Sequence, residues 1–401
     1  MLKALFYALL FVAPIYCVHF FEIFGKDPYE WLMTILALGS IVVFFLVPTS
    51  KKIWFGFFVG LLWFYWVGFS FRYFGAPLLI PVIAVVVACI YMLLFVVSLY
   101  SSSYLWRGFW LLILSYIHPF GFDWLVVDSF FAYSYFGVQK YEIAFIVAGV
   151  ALILQKQDRR QIVGIALLVC AIDYEVFAKR GEKTPFEYAL LGSHFSQDFK
   201  WQRQNIQTIT KEQISSINKA IESGKNLIIL PETAFPFEIE KSYFWGILNT
   251  LSKDVVLIVG SLREGDGGVY NSAYIFSDSK VSIADKKILA PFGEKIPLPD
   301  FLSKKLHRFF LGESPKMLEG KDFSDVEIMG EKLRVLVCYE GTSQEAYKDA
   351  PKYFAVISNN AWFEGSIQAS VQKMLLKYYA KRFDKTIFHS SNGSRSFVLA
   401  P

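Results

Sequence analysis

Three short segments in the second half of this chain each end an apolar run with a side chain that could do chemistry. In residues 227–237, LIILPETAFPF, a strand-like run stops at Pro231 and presents Glu232 beside Ala234, Phe235 and Phe237. Apolar surroundings penalise a charged carboxylate, which moves such a group toward the range of a general base. A glutamate in that place also suits a solvated turn or a helix cap. In residues 285–299, DKKILAPFGEKIPLP, Lys286 and Lys287 precede an apolar trio and a Pro-Phe-Gly-Glu turn that ends at Glu294. Paired lysines equally suit a surface. In residues 332–343, KLRVLVCYEGTS, a strand over 333–337 delivers Cys338 to a turn, with a helix expected after it. Helix-terminal N–H groups there would favour thiolate, although an isolated cysteine is commonly a buried, inert one. A carboxylate, an ammonium and a thiol are the proton acceptor, oxyanion partner and nucleophile that acyl transfer through a covalent intermediate needs.

The elements that must position these groups are short and alternate in type. Runs at 187–195, 226–230, 255–259, 333–337 and 354–358 read as strands, and 269–276 with 280–284 reads as a hairpin. Apolar spacing makes 211–223 and 366–385 helices. The alternation predicts an α/β domain over 177–401, large enough for a core of its own.

Residues 1–176 differ in kind. The 401-residue chain is 54% hydrophobic, 18% aromatic and only 19% charged, with a mean hydropathy of +0.39, and the apolar excess lies in this half. Blocks at 2–21, 31–47, 53–71 and 78–99 approach the roughly 20 residues that a membrane helix needs. Shorter ones at 108–117, 143–154 and 162–176 bring the expected bundle to about seven spans. The first block lacks a small-residue cleavage site and is not a removable signal. If all seven cross, Lys3, Lys51, Lys52, Arg107, Lys156, Arg159 and Arg160 share one side, against Lys26, Arg72 and Lys140 on the other. That bias predicts a cytoplasmic N-terminus and, by odd parity, an extracytoplasmic second domain. Residues 119–140, rich in aromatics, are expected at the outer interface as an aromatic belt or as a wall of a lipid-entry groove.

Other classes find little support. The net charge of +5 comes from cations at block ends or mixed with acids, so no nucleic-acid stripe emerges. Cys17, Cys89 and Cys170 lie in apolar blocks, leaving Cys338 with no disulfide partner in its own domain. His19, His118, His194, His307 and His389 show no metal-ligand spacing, and Gly265–Gly268 lacks the GK[ST] of a phosphate loop. Neither a metal nor another cofactor is expected. A lipid-binding or transport protein without catalysis would account for the helices alone, but ionisable residues would be expected inside the spans, which carry few.

The order Glu, Lys, Cys, with the PET, K-x-x-L-x-P-F-G-E and C-Y-E segments, closely resembles the nitrilase, or carbon–nitrogen hydrolase, superfamily. The whole chain resembles its membrane-embedded branch, the apolipoprotein N-acyltransferase family; Lys200-Trp201, Tyr270-Asn271-Ser272-Ala273, Ser358 to Phe363 and Asn392-Gly393-Ser394 add to the likeness. The resemblance implies a multi-helix transmembrane bundle followed by a nitrilase-like α-β-β-α sandwich on the periplasmic side of the bacterial inner membrane. It implies Glu232 as general base, Lys286 as oxyanion partner and Cys338 as nucleophile, supported by Glu294, Tyr339 and Glu340. Trp201, Asn271 and Trp362 become substrate-contacting candidates. The implied reaction moves a fatty acyl group from a phospholipid such as phosphatidylethanolamine, through a cysteine thioester, to the α-amino group of an S-diacylglyceryl cysteine at a lipoprotein's N-terminus. A membrane-anchored amidase or nitrilase would use the same three groups. Asn360 stands where the family more usually has Asp. The family normally continues beyond Asn-Gly-Ser with further strands and a last membrane helix, so a chain ending at Pro401 is expected to be either an abbreviated form or a truncated one.

Overall fold

The computed structural model describes residues 1–73, 75–174, 184–297 and 315–401. The chain forms two compact units: residues 1–180 with 365–382, and residues 181–364 with 383–401. The expected boundary near residue 176 lies outside the described residues. Helix 366–385, read from sequence as part of the second domain, is counted with the first unit.

In the first unit the apolar blocks become helices α1 (Leu2–Ile23), α2 (Glu30–Leu46), α3 (Lys52–Phe64), α4 (Leu79–Ser98), α5 (Tyr104–Leu114), α6 (Lys140–Leu154) and α7 (Asp158–Cys170). Among the described residues, Leu2–Ile23, Thr49–Arg72 and Leu79–Ser98 are long and apolar enough to cross a bilayer. Small residues set the packing. A Cβ on Gly56 would lie 2.6 Å from the Cβ of Phe95, and one on Gly60 would lie 2.9 Å from that of Tyr91, so this Gly-x-x-x-Gly face lets α3 meet α4 backbone to backbone.

Two expectations for this unit change. Arg107 is not a loop cation: it is buried in α5, and its guanidinium donates to the carbonyls of Phe44 and Phe45 at 3.1 and 2.7 Å. Six against three remain in the loop-charge bias. The aromatic stretch is not a row of exposed rings either: Trp124 to Ser134 are all buried, and Phe130 stacks on Trp63 with ring centroids 5.2 Å apart.

Helix α11 (Gln368–Phe383) completes the unit. Its Lys373 pairs with Glu22 and with Asp27, the latter at 2.6 Å. Lys381 pairs with Asp173 at 3.3 Å and donates to the carbonyls of Ser134 and Phe136.

The second unit is built on two sheets. In the first, β1 (Tyr188–Leu190), β2 (Leu227–Ile229) and β4 (Val256–Gly265) run parallel, and β5 (Gly268–Ser277) and β6 (Lys280–Asp285) follow antiparallel. Strand β3 (Phe235–Glu238) joins β4. The expected hairpin is present, and Asp278 and Ser279 turn it with φ of 48° and 59°, the left-handed pair that a tight two-residue loop requires. The second sheet has the order β11-β10-β9-β8-β7, from β11 (Phe397–Leu399), β10 (Thr386–Asn392), β9 (Tyr353–Asn359), β8 (Glu331–Val337) and β7 (Ser324–Ile328).

The sheets pack face to face. Leu227, Ile229, Val256 and Ile258 from one meet Leu333, Val335, Val337, Ala355 and Ile357 from the other. Helices α9 (Ile206–Glu222) and α10 (Phe244–Leu251) cover the outer face of the first sheet through Ile217, Ala220 and Leu248. The α, β, β layering of the expected sandwich is thus present within this unit. One strand is shorter than its sequence suggests: the run 187–195 pairs only over Tyr188–Leu190, and Ser193 then bridges to Asn392, so its second half crosses to the other sheet.

Candidate active site

Each candidate side chain leaves a strand end by a backbone conformation that aims it. Glu232 lies just beyond β2, and the next residue, Thr233, has φ of 47°. Gly260 of β4 lies against this turn; a Cβ there would come within 2.5 Å of the Pro231 carbonyl oxygen, 2.6 Å of the Thr233 nitrogen and 2.7 Å of the Glu232 Cα. Cys338 follows β8 with φ of 55° and opens the 3-10 turn Cys338–Thr342. A left-handed backbone costs about 1–3 kcal/mol at a non-glycine residue and persists only where its surroundings fix it. Lys286 follows β6 and is tied by its amide to the carbonyl of Asn271 at 2.9 Å.

The structure brings Glu232, Lys286, Glu294, Asn271, Cys338 and Glu340 into one cluster, in which Glu232, Lys286, Asn271 and Glu340 are buried and Cys338 and Glu294 are partly exposed. Lys286, 1% exposed, pairs through Nζ with Glu294 Oε2 at 2.6 Å. The Asn271 amide donates to Glu232 Oε1 at 2.6 Å and to Glu294 Oε1 at 3.1 Å. Its geometry is therefore that of a bridge between carboxylates, where the sequence reading made it a substrate contact. Glu232 Oε2 is buried with no hydrogen-bond partner among the described residues, an acceptor left open for a proton. The Glu340 carboxylate accepts from the Val337 amide and from the Lys287 amide, each at 2.9 Å. It thus locks the strand that carries Cys338 to the segment that carries Lys286. Tyr339, beside the thiol, is buried.

The electrostatics follow from this crowding. Burial, then the nearby Glu232 carboxylate, push the Cys338 thiol up to about 12 against the pull of Lys286. The expected lowering by helix-terminal amides is reversed, since Cys338 opens a five-residue 3-10 turn rather than a long helix and stands near the Glu232 and Glu294 carboxylates. A resting thiol there is neutral, and its nucleophilicity depends on a base that takes the proton as the bond forms. Burial works against the Lys286 ammonium, but Glu294, Cys338 and Glu232 outweigh it and hold its pKa above the ordinary value. Burial raises the Glu340 carboxyl to about 7 despite backbone amides, those of Val337, Lys287 and Ile288, that donate to it.

The two tryptophans stand outside this charge cluster. Trp201 is 42% exposed and donates through Nε1 to Gln197 Oε1 at 2.9 Å. Trp362 is half-buried in the 3-10 turn Asn360–Phe363 beyond β9. Sequence reasoning passed over the polar network beneath them. Asn359 Oδ1 accepts from Gln197 and from Asn392, both at 2.8 Å, and Asn392 Nδ2 also donates to the Phe195 carbonyl. Gln197 and Asn359 are 162 residues apart in the chain. Among the described residues no cluster of three or more His, Cys, Asp or Glu could hold a metal ion.

Residues 1–174 match the family model of the apolipoprotein N-acyltransferase integral membrane domain. The chain is 40% identical over 400 residues to the apolipoprotein N-acyltransferase of Helicobacter pylori, covering 98% of this chain and 94% of that protein. It is 38% identical to the Wolinella succinogenes apolipoprotein N-acyltransferase, covering 99% and 95%. Among solved structures, an amidase from Nesterenkonia is similar over 55% of this chain and 84% of its own, at 17% identity and a TM-score of 0.40.

Proposed function

The chain belongs to the apolipoprotein N-acyltransferase family, and from that premise we propose that Cys338 carries the acyl group as a thioester between two half-reactions. The observation that carries the reading is the convergence of Glu232, the Lys286–Glu294 pair and a left-handed Cys338 in one cluster. In the first half-reaction Glu232 takes the thiol proton while Sγ attacks the ester carbonyl of a phospholipid. Lys286, with the Tyr339 backbone N–H, stabilises the tetrahedral oxyanion. The C–O bond breaks, Glu232 returns the proton to the leaving glycerol oxygen, and a lysophospholipid departs.

In the second half-reaction a neutral amine attacks the thioester. Glu232 takes a proton from the attacking nitrogen, the C–S bond breaks, and the thiolate recovers that proton. The donor we propose is a glycerophospholipid such as phosphatidylethanolamine, and the acceptor is the α-amino group of an S-diacylglyceryl cysteine. Both carry acyl chains and reach the site from a bilayer, which is the use of an integral membrane domain. Family membership supports a multi-pass chain in the bacterial inner membrane, and the charge bias favours the α/β unit on the periplasmic side.

Intact mass spectrometry of the purified chain with phosphatidylethanolamine vesicles tests this. A hydroxylamine-sensitive acyl adduct is expected on the unaltered chain, absent from Cys338→Ala and discharged by a diacylglyceryl-cysteine peptide. Turnover to free fatty acid without acceptor, or an adduct that survives Cys338→Ala, would overturn it.

A further inference from the structure

Lys200 ends the single-turn helix α8 (Gln197–Lys200) and is 1% exposed, yet it belongs to none of the roles above. Its Nζ donates to the backbone carbonyl of Glu232 at 3.1 Å and to Thr233 Oγ1 at 2.6 Å. Burying an ammonium costs several kcal/mol unless its surroundings compensate. Here burial pulls Lys200 down to about 7, with only the nearby Glu232 opposing. A group so placed contributes little to stability, and its partners say what else it does.

Thr233 is β-branched and held at φ of 47°, a conformation such residues rarely adopt. Lys200 holds it from one side, and the bare backbone of Gly260 lies against the same turn. Thr233 follows Glu232 directly, so rotating it swings the carboxylate away from the reacting atoms. Asn271 fixes the far end of the same side chain through Oε1. The base is thus restrained at its backbone and at its carboxylate by two groups from different elements.

We infer that Lys200 is a positioning residue for the acylation step, which fixes the Glu232–Thr233 backbone so that the carboxylate meets the Cys338 thiol. The inference rests on the reading of Glu232 as the base. It is tested on the full chain in detergent, by the single-turnover rate at which phosphatidylethanolamine vesicles acylate Cys338. Lys200→Met keeps the bulk and removes the donors; it is expected to slow acylation at saturating phospholipid by about 10²-fold, the scale of a 1 Å misplacement. The half-saturating phospholipid concentration should stay within about twofold. Thr233→Val is expected to slow the same step, and adding it to Lys200→Met should slow acylation no further, because the two groups act as one unit.

Acylation of Lys200→Met at the unaltered rate, or a change confined to the half-saturating concentration, would overturn the inference, as would losses that multiply in the double variant. Should Lys200→Met not fold, Thr233→Val decides alone: a slower step at unchanged half-saturation supports the inference, and an unaltered rate refutes it. Absence of any adduct on the unaltered chain removes the proposed function and this inference together, whereas equal adduct rates remove only the inference.

Discussion

In the first unit Lys373 sits on Glu22 and Asp27, and Lys381 on Asp173 and two carbonyls. In the second unit Lys200 and Lys286 act on a single residue from opposite ends, one at the backbone of Glu232 and one through the field at its carboxylate. The first arrangement matches each lysine to local acceptors and so secures packing. The second leaves one carboxylate oxygen of Glu232 without a partner among the described residues and the Cys338 thiol pushed up to about 12. The difference shows that buried charge alone does not mark a site. An acceptor left open beside a nucleophile does.

The comparison can be broken most severely at Gly260, where no charge changes. Gly260→Ala forces a Cβ against the Glu232 turn. Activity is expected to fall by about 10²-fold, with a stability loss of about 1–3 kcal/mol from overpacking. Acylation kinetics beside thermal unfolding in detergent would separate the two, and an unaltered rate would mean the turn tolerates displacement. Lys373→Met tests the other region. It removes the ammonium that pairs with Glu22 and Asp27, and because Asp27 is largely exposed the cost should be about 2–3 kcal/mol, below the range for a fully buried pair. Acylation per folded molecule should remain within about twofold; a large catalytic loss at full folding would erase the distinction between the regions.

A smaller and pH-dependent effect is expected at Glu340. Its folded-state pKa of about 7 lies above the ordinary 4.5, so its proton is held more tightly in the folded chain. The stability this contributes is complete below pH 4.5 and is lost as pH rises to 7. Glu340→Gln, although less stable throughout because an amide nitrogen cannot accept from a backbone N–H, should flatten that decline. A melting temperature series from pH 4.5 to 8 reads the slope, and identical slopes would show that another group titrates.

The strand ends that hold Glu232 and Cys338 were legible in the sequence because each follows a short apolar run, and that of Lys286 because it closes a hairpin; period and terminator are local signals. Their partners were less so. Lys200, Gly260 and Asn271 act on Glu232 across 28 to 39 residues, and Gln197 meets Asn359 across 162. Such pairs depend on strand order, which no local window contains. The thiol's upward shift was misjudged for the same reason: the turn after Cys338 was visible, but the carboxylates converging on it were not. Burial of 124–134 was hidden by composition, since aromatic residues suit an interface and a helix-bundle core equally.

The placement of α11 carries a consequence for biosynthesis. Glu22 and Lys373 are 351 residues apart, yet they belong to one compact unit whose helices α1 to α7 emerge from the ribosome first. Domains commonly fold as they are made, N-terminal part first. Here the apolar helices precede the α11 lysines that pair with Glu22, Asp27 and Asp173, which arrive only after most of the other unit has been translated. The membrane unit of this protein is therefore among the first parts begun and among the last completed.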